Sequence, residues 1–473
     1  MLEHSYEVPE VTLRPGRRLR IAAGILLVLV LWGGYRSISL DRELYGHASE
    51  ALLWTLLFLV SAQYFVISWF DKPFTVTPAQ QAKLDRLVVT VNVPVFNEDP
   101  AVLDRVLYAL FSQTRPPNYV EVVDDGSTAA DYTEVRDHWE LWHPPNVHFS
   151  WIRYTPNQGK RHAQATTFRH LPGDIFITLD SDTTLERRAI EEGLKPFATR
   201  RVMSVAGVEV AMNAHANILT RISSLRQISW QYTQCSALSV VGSVLVNRGT
   251  FAMYRAEVIR DNLRAYVSET FLGRPVSFSD DSLLTLYALE RGRAVQQATA
   301  FQLPMYPENV SHALRQWLRW MRGSTIRTFW RLRYLPLRSY GWWMSMLSWW
   351  QFWVSCAAYI YVLVVRPVEG HFSIVPVMVI LLCSYLVALR NLLISRSDHP
   401  AESQLNTYLL APLCLLWSML LLRPLRVYGM LTCGKSGWVT RAKVEVSLDQ
   451  EAVYASEEFP SPDSVYAQLM ERQ

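Results

Sequence analysis

Two blocks of apolar sequence enclose a long stretch that is not apolar, and this division constrains the fold more than any other feature. Ile21 to about Leu40 and about Ala48 to Phe70 make the first block; Trp342–Val365, Phe372–Ile394 and Tyr408–Leu422 make the second. Runs of this kind are membrane-span candidates. Arg14, Arg17, Arg18 and Arg20 precede the first run, as in a secretory signal, but no small-x-small cleavage site follows and a second apolar run does. The two runs, joined by the polar link Asp41–Gly46, read as a helical hairpin. The positive-inside rule then places the N-terminus in the cytoplasm and returns the chain there after Phe70. Half of the 473 residues are hydrophobic, which suits a chain shared between lipid and water.

Between the blocks, from Asp71 to about Leu335, the texture changes. Leu87–Val95, Tyr119–Val123, His148–Tyr154, Ile175–Leu179 and Met203–Val210 read as strands, and Ala101–Ser112 and Lys160–His170 read as helices. Such alternation predicts an α/β domain with a mostly parallel sheet. Ligands of such sheets bind beyond the carboxyl ends of the strands.

Those strand ends are acidic. Val91-Asn-Val-Pro-Val-Phe-Asn97-Glu98 ends in a polar turn, Glu121-Val-Val-Asp124-Asp125-Gly126-Ser127 in two carboxylates and a glycine, and Ile175–Leu179 runs into Asp180-Ser181-Asp182. One acidic turn alone as often caps a helix or ends a strand; three in order point to chemistry. Two carboxylates two residues apart at a strand end can share a hard divalent cation such as Mg²⁺ or Mn²⁺, which would neutralise a diphosphate leaving group. Lys160, in Asn157-Gln-Gly-Lys-Arg161, opens a helix and adds positive charge, unless it is simply a solvated helix-end lysine. Asp280 and Asp281 open the helical run Leu283–Glu290, either as caps or as a general base for a sugar hydroxyl. Gln316, Arg319 and Trp320 lie at i, i+3 and i+4 and share a helical face. Their surroundings mix Arg with Trp, Leu, Met and Phe, as an interfacial membrane helix does.

Composition excludes little else. The net charge of +4 is too small to argue for a nucleic-acid partner. The 17 Trp, 22 Tyr and 18 Phe suit membrane interfaces and sugar-binding clefts alike. Cys235, Cys356, Cys383, Cys414 and Cys433 form no CxxC pair, so neither a zinc site nor a disulfide framework is expected.

The ordered set PVFNE, DDGS, NQGKR, LDSD, SDD and QxxRW (Gln316, Arg319, Trp320) resembles the processive family-2 glycosyltransferases, a group that includes hyaluronan, chitin and cellulose synthases. The likeness runs from about Arg18 to Arg441. Hyaluronan synthases are the most similar in Gly249-Thr-Phe-Ala-Met-Tyr254-Arg255, in the QxxRW helix, and in Ser436-Gly-Trp438-Val-Thr-Arg441, which resembles their SWGTR gating motif. Two departures stand out. Val439 replaces a glycine of that motif, and Ser279-Asp-Asp-Ser282 stands where GDDR is usual.

The resemblance implies a GT-A catalytic domain embedded in an α-helical transmembrane protein. It implies a cytoplasmic segment over 1–20, a transmembrane hairpin over 21–70 and the cytoplasmic catalytic domain over 71–311. Interfacial helices follow over 312–341, a transmembrane region over 342–432, and a gating motif with acidic tail over 433–473. It implies a processive, inverting enzyme that polymerises UDP-sugars. Hyaluronan is the first expectation; a chitin-like or other β-linked homopolymer, or non-processive transfer, is the alternative. Asn97, Glu98, Asp124 and Asp125 would line the uridine pocket, and Asp180 and Asp182 would hold UDP and the metal. Asp281 would be the base with Asp280 in support, and Tyr254 and Arg255 would lie toward the acceptor. Trp320 would underlie the acceptor, beside Gln316. Arg319 and Arg441 would contact the diphosphate, with Trp438 closing over it. Donor, growing polysaccharide and bilayer are the expected partners. One difficulty arises. Two plus three crossings put Trp438–Arg441 on the wrong side, unless Pro412 and Pro424 bend the apolar stretch Leu405–Leu431 back on itself.

Overall fold

Val89, Val91, Val93 and Val95 are essentially inaccessible, and so are Thr90 and Asn92 between them. A strand buried on both faces belongs at the centre of a sheet covered by helices. The computed structural model, which describes residues 6–14, 16–45, 61, 63–371 and 373–435, has this arrangement. After a short strand β1 (Val11–Leu13) near the N-terminus come β2 (Val89–Val95), β3 (Tyr119–Asp124), β4 (His148–Arg153) and β5 (Ile175–Leu179). β6 (Thr183–Leu185), β7 (Val202–Glu209) and β8 (Phe251–Arg255) follow. Next are the hairpin β9 (Thr270–Phe271) and β10 (Arg274–Pro275), then β11 (Arg293–Pro304) and β12 (Ile394–Arg396).

The main sheet has eight strands in the order β4-β3-β2-β5-β8-β7-β11-β6. β2 to β5 are parallel to one another and β7 is parallel to β11, whereas β8 runs antiparallel to β5 and β7, and β6 antiparallel to β11. The expected strands appear with ends moved by at most two residues, and the Lys160–His170 helix appears as read. The helix expected over Leu283–Glu290 starts three residues earlier, at Asp280.

Among the described residues four helices, over Arg17–Leu44, Tyr340–Val368, Ile374–Leu393 and Ala411–Leu431, are long and apolar enough to cross a membrane. Most of the expected second span lies outside the described residues. The first helix packs on the Ile374–Leu393 helix so closely that a Cβ on Gly33 would meet Val379 at 2.7 Å. An ion pair of 2.7 Å between Asp41 and Arg366 joins the ends of the first and second of these helices.

Beyond Leu393 the chain is back against the α/β domain. β12 pairs with β1, and the Arg396 guanidinium donates to the carbonyls of Ala211 (2.5 Å) and Met212 (3.3 Å). From there Ala411 packs on Leu225 and Ala388, while at the far end Arg274 donates to the Gly434 carbonyl and Cys433 packs on Phe271 and Phe278. Both ends of the Ala411–Leu431 segment therefore rest on the α/β domain. Ala411–Leu431 is one continuous helical stretch that runs beside that domain, not a pair of segments folded back at Pro412 and Pro424.

Its last helix, Arg423–Leu431, is pressed against the Val310–Tyr334 helix: a Cβ on Gly429 would fall 2.8 Å from Met321 Cβ. Gly429→Val is expected to destabilise the protein by about 1–3 kcal/mol through overpacking. An unchanged thermal unfolding midpoint would contradict this close approach.

Candidate functional site

β3 ends in Asp124-Asp125-Gly126-Ser127, and the turn holds two neighbouring loops. Asp124 accepts from the Ser127 N–H at 2.9 Å and faces the Arg153 guanidinium at 3.3 Å. Asp125 accepts from the N–H groups of Gln158 (2.8 Å) and Gly159 (2.9 Å), tying the DDG turn to the loop ahead of Lys160. Burial pushes the Asp125 carboxyl up to about 7, against those two N–H donors. Gly126 has φ of 77°, and a Cβ there would lie 2.9 Å from the Asn157 nitrogen, so only glycine fits. Asn97, itself at φ 48°, accepts from the N–H groups of Thr128 and Ala129. The Glu98 carboxylate accepts from Ser181 Oγ at 3.2 Å, linking the first motif to the DxD. Asn97, Glu98, Asp124 and Asp125 thus form one buried, cross-linked wall.

Across from it, Lys160 Nζ lies 2.5 Å from Asp180 Oδ1 and 3.5 Å from Asp280 Oδ2. Gly249 leaves room for this cluster: a Cβ there would be 3.5 Å from Lys160 Nζ and 3.6 Å from Asp281 Cβ. Burial works against the Lys160 charge, but Asp180, Asp280 and Asp281 outweigh it and hold the ammonium above its ordinary range. Burial also raises the Asp280 carboxyl, yet Lys160 and Arg161 overcome it and keep that group low. Asp281 goes the other way: burial first, then the Asp280 charge, push it up to about 6. Two adjacent carboxyls are therefore driven apart, one firmly ionised and one poised to exchange a proton.

Neither acts as a helix cap. The capping position belongs to Ser279, whose side chain makes no capping bond. Asp281 Oδ1 accepts from the Ser282 N–H at 2.7 Å and Oδ2 from the Gly249 N–H at 3.3 Å. Ser279 has φ of 62°, the left-handed region that favours glycine. That is the backbone reason a GDD would fit here, and this chain meets it with a serine bonded to Ser282 Oγ at 3.0 Å.

Asp180 and Asp182 are hard oxygen donors at one strand end. Among the described residues no group of three or more His, Cys, Asp or Glu side chains gathers to hold an ion. The pair fits a Mg²⁺ or Mn²⁺ that takes the rest of its shell from diphosphate and water, the usual habit of Mg²⁺.

The Val310–Tyr334 helix, capped by Asn309, carries Gln316, Arg319 and Trp320. Gly323 brings it onto the base turn, since a Cβ there would lie 2.7 Å from Ser279 Cβ. Trp320, 41% exposed, meets Trp317 edge to face at 4.9 Å. Trp320 lies one turn before Gly323 on this helix, partly exposed on the same side as the contact with Ser279.

Two expected residues are placed elsewhere. Arg255 pairs across β8 with Ile175, the end of β5 remote from Asp180. It lies about 13 Å along the strand from the site, with its guanidinium on the carbonyls of Val202 and Phe197. Tyr254 is fully buried beneath the site and donates to the Asp281 carbonyl at 3.2 Å, so it supports the base turn and does not face an acceptor. The antiparallel insertion of β8 causes both misplacements. Trp438 and Arg441 lie outside the described residues.

Other residues had no signal in the sequence. Glu209, at the end of β7, accepts from Thr250 Oγ1 (2.7 Å) and Gln227 (2.6 Å) beneath Gly249. Arg226, Arg423 and Arg426 come within electrostatic reach of one another. Arg226 lies over Trp317, Arg423 over Tyr359 and Arg426 over Phe352, and none has a carboxylate partner among the described residues.

The model of glycosyl transferase family 2 matches residues 90–263. A hyaluronan synthase of Streptococcus pyogenes is 30% identical over 445 residues, covering 91% of this chain and 98% of that one. An N-acetylglucosaminyltransferase of Azorhizobium caulinodans is 31% identical over 280 residues, covering 58% and 70%. The solved mannosyltransferase PcManGT of Pyrobaculum calidifontis, in complex with GDP-Man and Mn²⁺, superposes with a TM-score of 0.52 at 19% identity, covering 81% of this chain and 98% of that one. That likeness concerns the fold alone.

Proposed function

Since the chain belongs to the family-2 glycosyltransferases, as a polysaccharide synthase using UDP-sugars, we propose that it is a processive, inverting enzyme. Its product would be hyaluronan, assembled from UDP-N-acetylglucosamine and UDP-glucuronate. The observation that carries the reading is the cluster of Lys160, Asp180, Asp280 and Asp281 against the QxxRW helix. It supports a proton acceptor and a diphosphate-side cation at one strand end, beside the helix that would carry the aromatic platform.

The donor's uridine lies along the wall of Asn97, Glu98, Asp124 and Asp125. Asp180 and Asp182 would hold Mg²⁺ or Mn²⁺, which when bound offsets the charge of the diphosphate. The acceptor sugar stacks on Trp320, beside Gln316. Asp281 takes the proton of the acceptor hydroxyl as that oxygen bonds to the anomeric carbon and the bond to UDP breaks. An α-linked donor then yields a β-linkage. Lys160 and Arg319, with Arg441, stabilise the charge that develops on the leaving diphosphate, and Trp438 closes over it.

The arginine-rich tract at the N-terminus places the catalytic domain in the cytoplasm, with the chain crossing the membrane several times. The cluster of Arg226, Arg423 and Arg426 favours an anionic polymer over a neutral one. Three mutually repelling guanidiniums in an apolar region are costly unless an anion visits them. A chain with a carboxylate on alternate sugars supplies one, and a chitin-like chain does not.

The test is UDP release from the purified protein in detergent with Mg²⁺ or Mn²⁺, using each donor alone and both together. Fast UDP release that yields hyaluronidase-sensitive polymer is expected only with both donors, above a slow single-donor background with water as the acceptor. Sustained polymer from one donor would make this a homopolymer synthase instead.

A further inference from the structure

Glu269 sits just before the β9–β10 hairpin, in a stretch that reads as an ordinary surface turn. Its carboxylate is nevertheless only 7% exposed. It accepts four hydrogen bonds from two distant segments. Arg161 Nη2 donates at 2.8 Å, Arg327 Nη1 and Nη2 at 2.6 and 3.0 Å, and Trp330 Nε1 at 2.8 Å. Arg327 is completely inaccessible.

Each partner leads to a different part of the reaction. Arg161 follows Lys160 directly, and its guanidinium also donates to the carbonyls of Tyr266 (3.1 Å) and Phe278 (2.7 Å), the second immediately ahead of Ser279-Asp280-Asp281. Arg327 stands seven residues after Trp320 on the same helix, hence on the same face. One carboxylate therefore joins the donor-side loop and the base turn to the helix that presents the acceptor platform. The two arginines depend on it unequally. Arg161 keeps two carbonyl partners without Glu269, whereas both hydrogen bonds of Arg327 end on that carboxylate.

We propose that Glu269 is a positioning residue that registers the acceptor helix against the donor site. This rests on the glycosyltransferase reading above. Neutralising Glu269 frees Arg327 and lets the QxxRW helix shift, while Arg161, Lys160 and the base turn stay anchored. Small misplacements of reacting partners cost up to about a hundredfold in rate, and here the loss falls most heavily on transfer to the sugar acceptor, with a smaller loss through Arg319 on the same helix.

The experiment compares two activities of the full-length enzyme in detergent. One is slow UDP release with a single donor, where water is the acceptor; the other is polymer formation with both donors. Glu269→Gln is expected to leave the donor KM within about threefold of wild type, while polymer formation falls about 10- to 100-fold and at least several-fold more than single-donor UDP release. Glu269→Asp, which keeps the charge, should recover part of the loss. Arg327→Lys should reproduce the split, and it stands in for Glu269→Gln if that variant fails to fold. Parallel loss of both activities with a lowered unfolding midpoint would reduce Glu269 to a purely structural ion pair. Unchanged polymer formation would also overturn the proposal. Absence of polymer from the wild-type enzyme would instead overturn the functional reading and leave the geometry of the node untouched.

Discussion

Asp281→Asn should abolish polymer formation while leaving UDP binding close to wild type. The asparagine keeps the shape of the side chain and can still accept from the Ser282 N–H, but it cannot take a proton from a sugar hydroxyl. A positioned general base contributes roughly 10²- to 10⁴-fold, so turnover should fall by about that factor. A second effect adds to it. Asp281 Oδ2 accepts from the Gly249 N–H, and an amide NH₂ placed there would oppose donor to donor. The wild-type enzyme makes a linked statement about pH. With Asp281 held up to about 6 by burial and by Asp280, the base is ionised above that value and protonated below it. The rate should drop about tenfold per unit as the pH falls further, and this limb should be missing from whatever activity Asp281→Asn retains. Calorimetric titration with UDP, beside UDP-release assays across pH, measures both. Polymer made at wild-type rates by the asparagine variant would remove Asp281 from the role of base.

What the sequence revealed and what it hid follow from the range of the interactions. The central strands were legible because burial on both faces demands near-continuous runs such as Val89–Val95 and Ile175–Leu179. The acidic strand ends were legible because they are local. β8 was not legible as an antiparallel insertion, since five residues of apolar texture carry no information on direction. Tyr254 and Arg255 were misplaced as a result. Glu269 was hidden for a different reason. Its partners are 108 and 58 residues away, so nothing near it in sequence distinguishes a buried carboxylate from a solvated one. Ser279 lies between these cases: its departure from glycine is visible in the sequence, but its left-handed backbone, which gives the departure meaning, is not.

Lys160→Met should be nearly as damaging as loss of the base, and the way it fails separates two roles for the cation. The ammonium lies 2.5 Å from Asp180 and 3.5 Å from Asp280, and its side chain is 18% exposed. Removing one partner of a buried ion pair typically costs about 3–5 kcal/mol, because the remaining charge is left uncompensated. That is a cost in stability; in activity, removing one group that stabilises charge developing in the transition state costs about 10²- to 10³-fold, and a loss of that order is expected in kcat/KM. If Lys160 acted only by attracting the diphosphate, the loss would appear mainly in donor KM, and the pH profile would keep its shape. The geometry predicts more. Lys160 is among the charges that pull the Asp281 carboxyl down against burial and Asp280. Without it that carboxyl rises, so the acid limb of the pH–rate profile should move above pH 6. Lys160→Arg, which restores the charge on a longer fork, should bring the limb back even where geometry keeps the rate low. A Lys160→Met profile superimposable on wild type would mean that the lysine serves the donor alone and that Asp281 is tuned without it.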